Sequence, residues 1–125
     1  QRNTGAYNGY WMTFSEHPKY QKIKGDKLYE ILKNMDTSGW GCNTNLHAAL
    51  KMVLNTAIRN SVAPEEVPSS LIVISDMEID YCTSDSWSFY DSMEKEYKEH
   101  GYTIPNIVFW NVNSRCSLLF VFNQF

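Results

Sequence analysis

Paired cysteines, long apolar runs and an excess of basic charge are all missing from this sequence. Its three cysteines, Cys42, Cys82 and Cys116, are odd in number and scattered without CxxC spacing. That argues against a disulfide framework or a zinc site, and a reduced, cytoplasmic chain is the expectation. No apolar run reaches the ~20 residues that a membrane helix needs, and no signal peptide opens the chain. His17, His47 and His100 stand far apart and form no HxxxH pair. Eleven basic residues against fourteen acidic ones leave a formal net charge of −3, so a nucleic-acid surface is not supported. The one lysine cluster, Lys19, Lys22, Lys24 and Lys27, is accounted for by a solvated face. Neither GxxxxGK[ST] nor GxSxG occurs, so the chain has neither a phosphate-cradling P-loop nor a nucleophile elbow.

What is present fits one domain spanning residues 1–125, long enough to bury about two-thirds of its unfolded surface. Four Trp, eight Tyr and six Phe predict a bulky core, with some aromatic surface left over for a partner. The first residue is Gln1 rather than Met, so the chain reads as a piece of something longer.

Elements alternate along the chain. YWMTFS (10–15) predicts a strand, His17-Pro18 breaks it, and Tyr20 to Ile23 is expected to form a short edge strand ending at Gly25. Asp26 is placed to cap a helix carrying Leu28, Ile31, Leu32 and Met35 at i, i+3, i+4 and i+7. SGWGCN (38–43) interrupts it. A second helix, from about Asn45 to Asn60, has Leu46, Leu50, Val53, Leu54, Ala57 and Ile58 on one face. Trp87 to His100 predicts a third helix, closed by Gly101. IVFWNV (107–112) is a strand, and the apolar tail SLLFVF (117–122) is β-prone. This order implies an α/β fold with a mostly parallel sheet wrapped by helices.

The segment LIVISDMEID (71–80) concentrates the functional interest. Leu71 to Ser75 is uncharged and mostly branched, which predicts a strand buried on both faces, as in parallel sheets. Ligands of such sheets bind outside the carboxyl ends of the strands, where Asp76 would stand. A carboxylate there suits Mg²⁺, Mn²⁺ or Ca²⁺, and it equally suits capping the next turn. A second loop, WGCNTNLHAAL (40–50), puts Thr44 at the start of an amphipathic helix, flanked by Asn43 and Asn45. Thr is a favoured N-cap, and its hydroxyl can also ligate a hard cation or hold a metal-bound water.

TFS, WGxNTNLxxAL, LIVISDMxxD and GYxxPxIVFWNVNSR, in that order, resemble the von Willebrand factor A (vWA) fold. More narrowly, they are similar to a bacterial and phage family of unknown function related to the vWA half of the Ro ribonucleoprotein autoantigens. The resemblance covers roughly residues 8 to 115. It implies a three-layer, Rossmann-like domain with a metal-ion-dependent adhesion site, where Mg²⁺ or Mn²⁺ takes an acidic group from a partner protein. In that family three loops build the site: Asp-x-Ser-x-Ser, then a Thr, then an Asp. Thr44 matches the second loop and Asp76 the third; Asn43, Asn45, Ser75, Glu78 and Asp80 are candidates for shaping the site.

The first loop does not match. DTSGW (36–40) has Trp40 where the second serine belongs, and it follows a helix rather than a buried strand. The motif and the central strand bearing it would precede Gln1, which leaves two strand edges to close up, to pair with a second copy, or to be completed by more chain. The resemblance therefore implies a partial site with weak metal binding or none, in a binding domain rather than an enzyme. Two other readings stand beside it: a remnant with structural or oligomerising value only, homodimerising through unpaired edges, and a Mg²⁺-dependent phosphoryl-transfer or hydrolytic enzyme. Trp40 and Trp110 are expected in the packing rather than at a ligand.

Overall fold

A computed structural model describes residues 5–13, 17–35, 45–75, 86–111 and 119–122. The chain divides into two compact units, Gln1–Val62 and Ala63–Phe125, each mixing helix with strand. The class is mixed α/β with small sheets. No described helix is long and apolar enough to cross a membrane.

In the first unit β1 (Tyr10–Met12) pairs antiparallel with β2 (Tyr20–Lys22), Tyr10 facing Lys22 and Met12 facing Tyr20. Thr13 carries the ladder one step further: its N–H donates to the Lys19 carbonyl at 3.1 Å, and its Oγ1 accepts from the Lys19 N–H at 3.2 Å. Thr13 is buried, and these bonds satisfy the polar groups that burial strips of water. The Tyr20 ring packs near two others, Tyr7 at 6.4 Å and Tyr10 edge-on at 6.3 Å.

Helix α1 (Leu28–Asn34) starts one residue later than a cap at Asp26 would have it, with Lys27 as N-cap. The Glu30 carboxylate reaches back to accept from the N–H groups of Asp26 (3.1 Å) and Lys27 (3.4 Å), so a third-position glutamate ties the chain entering the helix in place of the cap expected at Asp26. Gly25 precedes it at φ +118°, where an added Cβ would meet the Glu30 Cβ at 2.7 Å. The apolar stripe of α1 is not a core stripe: Leu28 is 72% and Leu32 60% exposed, while Ile31 and Met35 are half-buried.

Helix α2 (Leu46–Arg59) is the buried element of this unit. Ala49, Leu50, Val53, Leu54 and Ala57 are all buried, at the i, i+1, i+4, i+5, i+8 spacing of one helix face. Each buried Leu or Val contributes about 1.5–3 kcal/mol over leaving it exposed. Ile58, expected on that face, is 38% exposed. The helix ends with Ser61 at φ 48°, the Val62 N–H donating to the Ala57 carbonyl at 2.9 Å and the Ser61 N–H to Ile58 at 3.2 Å.

The second unit begins with a 3-10 turn (Pro64–Glu66), then β3 (Ser70–Ser75), α3 (Ser86–Glu99), β4 (Asn106–Asn111) and β5 (Leu119–Phe122). Strands β3 and β4 run parallel, in register from Ser70↔Asn106 to Ser75↔Asn111, and β5 returns antiparallel to β4. A parallel pair needs a long connection, and the chain between them carries α3. Gly101 (φ +78°) closes α3 as expected, with Gly101 N–H donating to Lys98 (3.0 Å) and Tyr102 N–H to Tyr97 (2.9 Å). This paired bonding satisfies carbonyls that the helix end would leave open.

Burial of β3 on both faces is corrected. Val73, opposite Phe109, is buried, whereas Ile72 is 61% and Ile74 66% exposed. Trp110, opposite Ile74, is 56% exposed, so it is not a core residue either. Branched residues fill β3, but among the described residues one face of the β3–β4 pair stays open to solvent. The buried residues of this unit, among those described, are Val73, Ile107 and Phe109 from the strands, with Val67, Met93, Tyr97, Ile104 and Pro105.

Candidate functional site

Ser75 is the last residue of β3 and faces Asn111, the last residue of β4. Because the two strands are parallel, their carboxyl ends lie side by side, the position at which α/β sheets bind ligands. Asp76 follows Ser75 directly in the chain. Asp76, Glu78 and Asp80 lie outside the described residues, as do Asn43, Thr44 and Trp40.

Asn45 lies in the first unit, at the start of α2. It, rather than Thr44, is the N-cap: its side-chain oxygen accepts from the Ala48 N–H at 2.9 Å. The cap moves by one residue because an Asn oxygen reaches the third N–H as well as a Thr hydroxyl does. The consequence is chemical: the Asn45 amide oxygen is committed to the helix, and capping no longer requires the Thr44 hydroxyl. Among the described residues, no three or more His, Cys, Asp or Glu side chains group in a way that could hold a metal.

A second candidate, which the sequence reading passed over, lies within the first unit. A groove of about 500 Å³ opens between the segment bearing His17, Pro18 and Tyr20 and one side of α2. Lys51, Asn55 and Arg59 line it at i, i+4 and i+8, beside Met52 and Thr56. That spacing was visible in the sequence, where it reads simply as the solvated side of an amphipathic helix. Tyr20 brings it interest. Its hydroxyl oxygen is buried with no hydrogen-bond partner. Burial pushes the Tyr20 phenol above its ordinary pKa, and neighbouring Thr56 lowers it by less. Thr56 is close, but its hydroxyl proton goes to the Met52 carbonyl at 2.8 Å, and Tyr20 and Thr56 do not meet in hydrogen-bonding geometry. Tyr90, on α3, is also raised, by burial and then by the charge of Glu94 one turn on.

Comparison with known proteins adds kinship rather than chemistry. No solved structure matches the chain. Uncharacterized protein L728 of Acanthamoeba polyphaga mimivirus is 32% identical over 112 residues, covering 89% of this chain. The chain spans only 20% of that relative's length. The relative is viral, where the sequence resemblance pointed to bacteria and phage. The family model of a domain of unknown function, DUF7788, matches residues 3–123, and the chain belongs to that family.

Proposed function

We propose that this chain is a protein-binding domain of vWA type, not an enzyme, and that its binding end is the carboxyl end of β3. One observation carries the reading: Asp76 comes immediately after the final residue of a strand that runs parallel to its neighbour. In this reading the parallel β3–β4 pair belongs to a three-layer, Rossmann-like sheet of the cytoplasmic type expected from the scattered cysteines. The adhesion site is partial, lacking a match to the Asp-x-Ser-x-Ser loop, so Mg²⁺ or Mn²⁺ binds weakly or not at all, with Thr44 and Asp76 as its contacts, directly or through water. Hard oxygen donors suit both ions, and an open coordination position takes an acidic group of the partner. Asn45 acts indirectly, holding the helix end that Thr44 precedes. Asn43, Ser75, Glu78 and Asp80 shape the site.

Calorimetric titration of Mg²⁺ and Mn²⁺ into the wild type and Asp76→Ala tests this. Binding that disappears in Asp76→Ala supports the site. Binding that survives the substitution removes Asp76 from it, and a wild type that takes up neither ion sinks the metal reading.

A second reading is favoured by the open side of the sheet. In the order β3-β4-β5, the outer edge of β3 pairs with no described strand, and Ile72, Ile74 and Trp110 are exposed on its face. Unpaired edges recruit further strands, so a second copy of the chain is the natural occupant. Sizing over a wide concentration range decides it: a strict monomer at the highest concentration counts against dimerisation through β3.

A further inference from the structure

We propose that the groove along α2 binds a small organic anion, with a flat apolar body and a phosphate or carboxylate head. The inference is independent of the β3 site. The groove's volume, about 500 Å³, lies in the range of small-molecule sites. Its described lining carries two basic side chains, Lys51 and Arg59, and no carboxylate. Basic side chains at the groove favour an anionic ligand.

Apolar and polar side chains share the groove. Pro18, Ala48 and Met52 supply a floor on which a flat body can lie, and Met adapts readily to irregular shapes. Arg59 stands one turn beyond Thr56 and Tyr20, where its planar guanidinium can take an anionic head through two parallel bonds. Lys51 stands about 12 Å away along the axis, eight residues at the helical rise, between Ala48 and Met52 in the chain. Asn55 offers amide donors between them. Beside Thr56 lies the buried Tyr20 hydroxyl, a donor with no acceptor in hydrogen-bonding geometry, whose desolvation Thr56 offsets only in part. That oxygen is closed to solvent in the ligand-free chain, so a head-group oxygen seated next to Arg59 accepts its proton only as the side chains around it give way. The hydroxyl thus distinguishes a ligand site from a merely cationic surface.

The test is an NMR titration of the ¹⁵N-labelled 125-residue chain with phenyl phosphate and with benzoate, using phenol and inorganic phosphate as controls. Amide shifts are expected at His17, Lys19, Tyr20 and residues 48–59, with phenol producing none there. Whichever of the two anions binds tighter names the head group. Arg59→Gln and Lys51→Gln should each weaken binding, Arg59→Gln by about tenfold, the loss of one charge-assisted contact. Tyr20→Phe should weaken it about threefold or more while leaving the chain folded. Equal binding of inorganic phosphate and phenyl phosphate would mean an adventitious ion only and overturn the proposal. So would shifts confined to other residues, or wild-type affinity in both Arg59→Gln and Tyr20→Phe.

Discussion

The phenolic hydroxyl of Tyr7 donates to the main-chain carbonyl of Val53 at 2.8 Å, across 46 residues of sequence. It joins a turn near the start of the chain to the middle of α2. Both residues are buried, so the bond also provides the polar tip of Tyr7 with a partner away from water.

Tyr7→Phe keeps the ring and deletes this bond. The Val53 carbonyl retains its helical position, so the cost should be modest, about 1 kcal/mol. Urea unfolding measures it; an unchanged midpoint would mean that the bond contributes nothing.

Ser61 holds a left-handed backbone, φ 48°, at the end of α2, as glycine does at the end of α3 in Gly101. Removing the Cβ relieves strain, so Ser61→Gly should stabilise the chain by about 0.5–1 kcal/mol after the entropy of a freer unfolded chain is counted. Gly101→Ala should cost about 1 kcal/mol, and for conformational reasons alone, since an added Cβ there meets nothing within 4 Å. Thermal melts of both variants check the pair; shifts of the same sign would contradict it.

Neighbouring residues of β3 should respond oppositely to truncation. Val73→Ala opens space in the core and is expected to cost about 2 kcal/mol. Ile74→Thr keeps the β-branch on an exposed face and should stay within about 0.5 kcal/mol. If Ile74→Thr proves as costly as Val73→Ala in denaturant melts, the outer face is covered in solution.

Asn45→Ala should destabilise α2 by about 1 kcal/mol through loss of the cap, whereas Thr44→Ala should leave stability nearly unchanged. The converse is expected for Mg²⁺ or Mn²⁺ uptake, which Thr44→Ala should reduce. Calorimetry run beside thermal melts separates the two roles, and a large drop in melting temperature for Thr44→Ala would return the cap to Thr44.

Alkaline pH should destabilise the fold. Burial raises the phenols of Tyr20 and Tyr90 above the ordinary tyrosine pKa of 10.0, with Glu94 adding to the rise at Tyr90. The unfolded chain then releases these protons first, so stability is intact below pH 10 and falls as pH climbs from there towards the folded-state values. Tyr20→Phe should flatten the melting-temperature profile above that pH. A profile equally steep in wild type and variant would place the effect elsewhere.

Much of the local structure was legible in the sequence. The 3.6-residue spacing of Leu50, Val53, Leu54 and Ala57 announced α2, Gly101 marked the end of α3, and the branched run at 71–75 marked β3. The candidate site was legible only as a pattern of residue types. Asp76 was placed after a strand and Thr44 before a helix, and the structure supplies that strand and that helix while assigning the cap to Asn45. The groove was not legible, because Lys51, Asn55 and Arg59 on a helix side look the same whether water or Tyr20 stands opposite them.

The sequence by itself determined the elements and where they stop, since periodicity, branching and positive-φ positions act over a few neighbouring residues. For α2 the spacing also marked the buried face, but in α1 and β3 tertiary structure decided which residues are buried. Branched residues at Ile72, Val73 and Ile74 are equally strand-forming, yet Val73 is buried and the two isoleucines are exposed, because burial depends on what packs against the strand. The same holds for Tyr20, whose hydroxyl became an unpartnered buried donor only when the segment around it closed over α2.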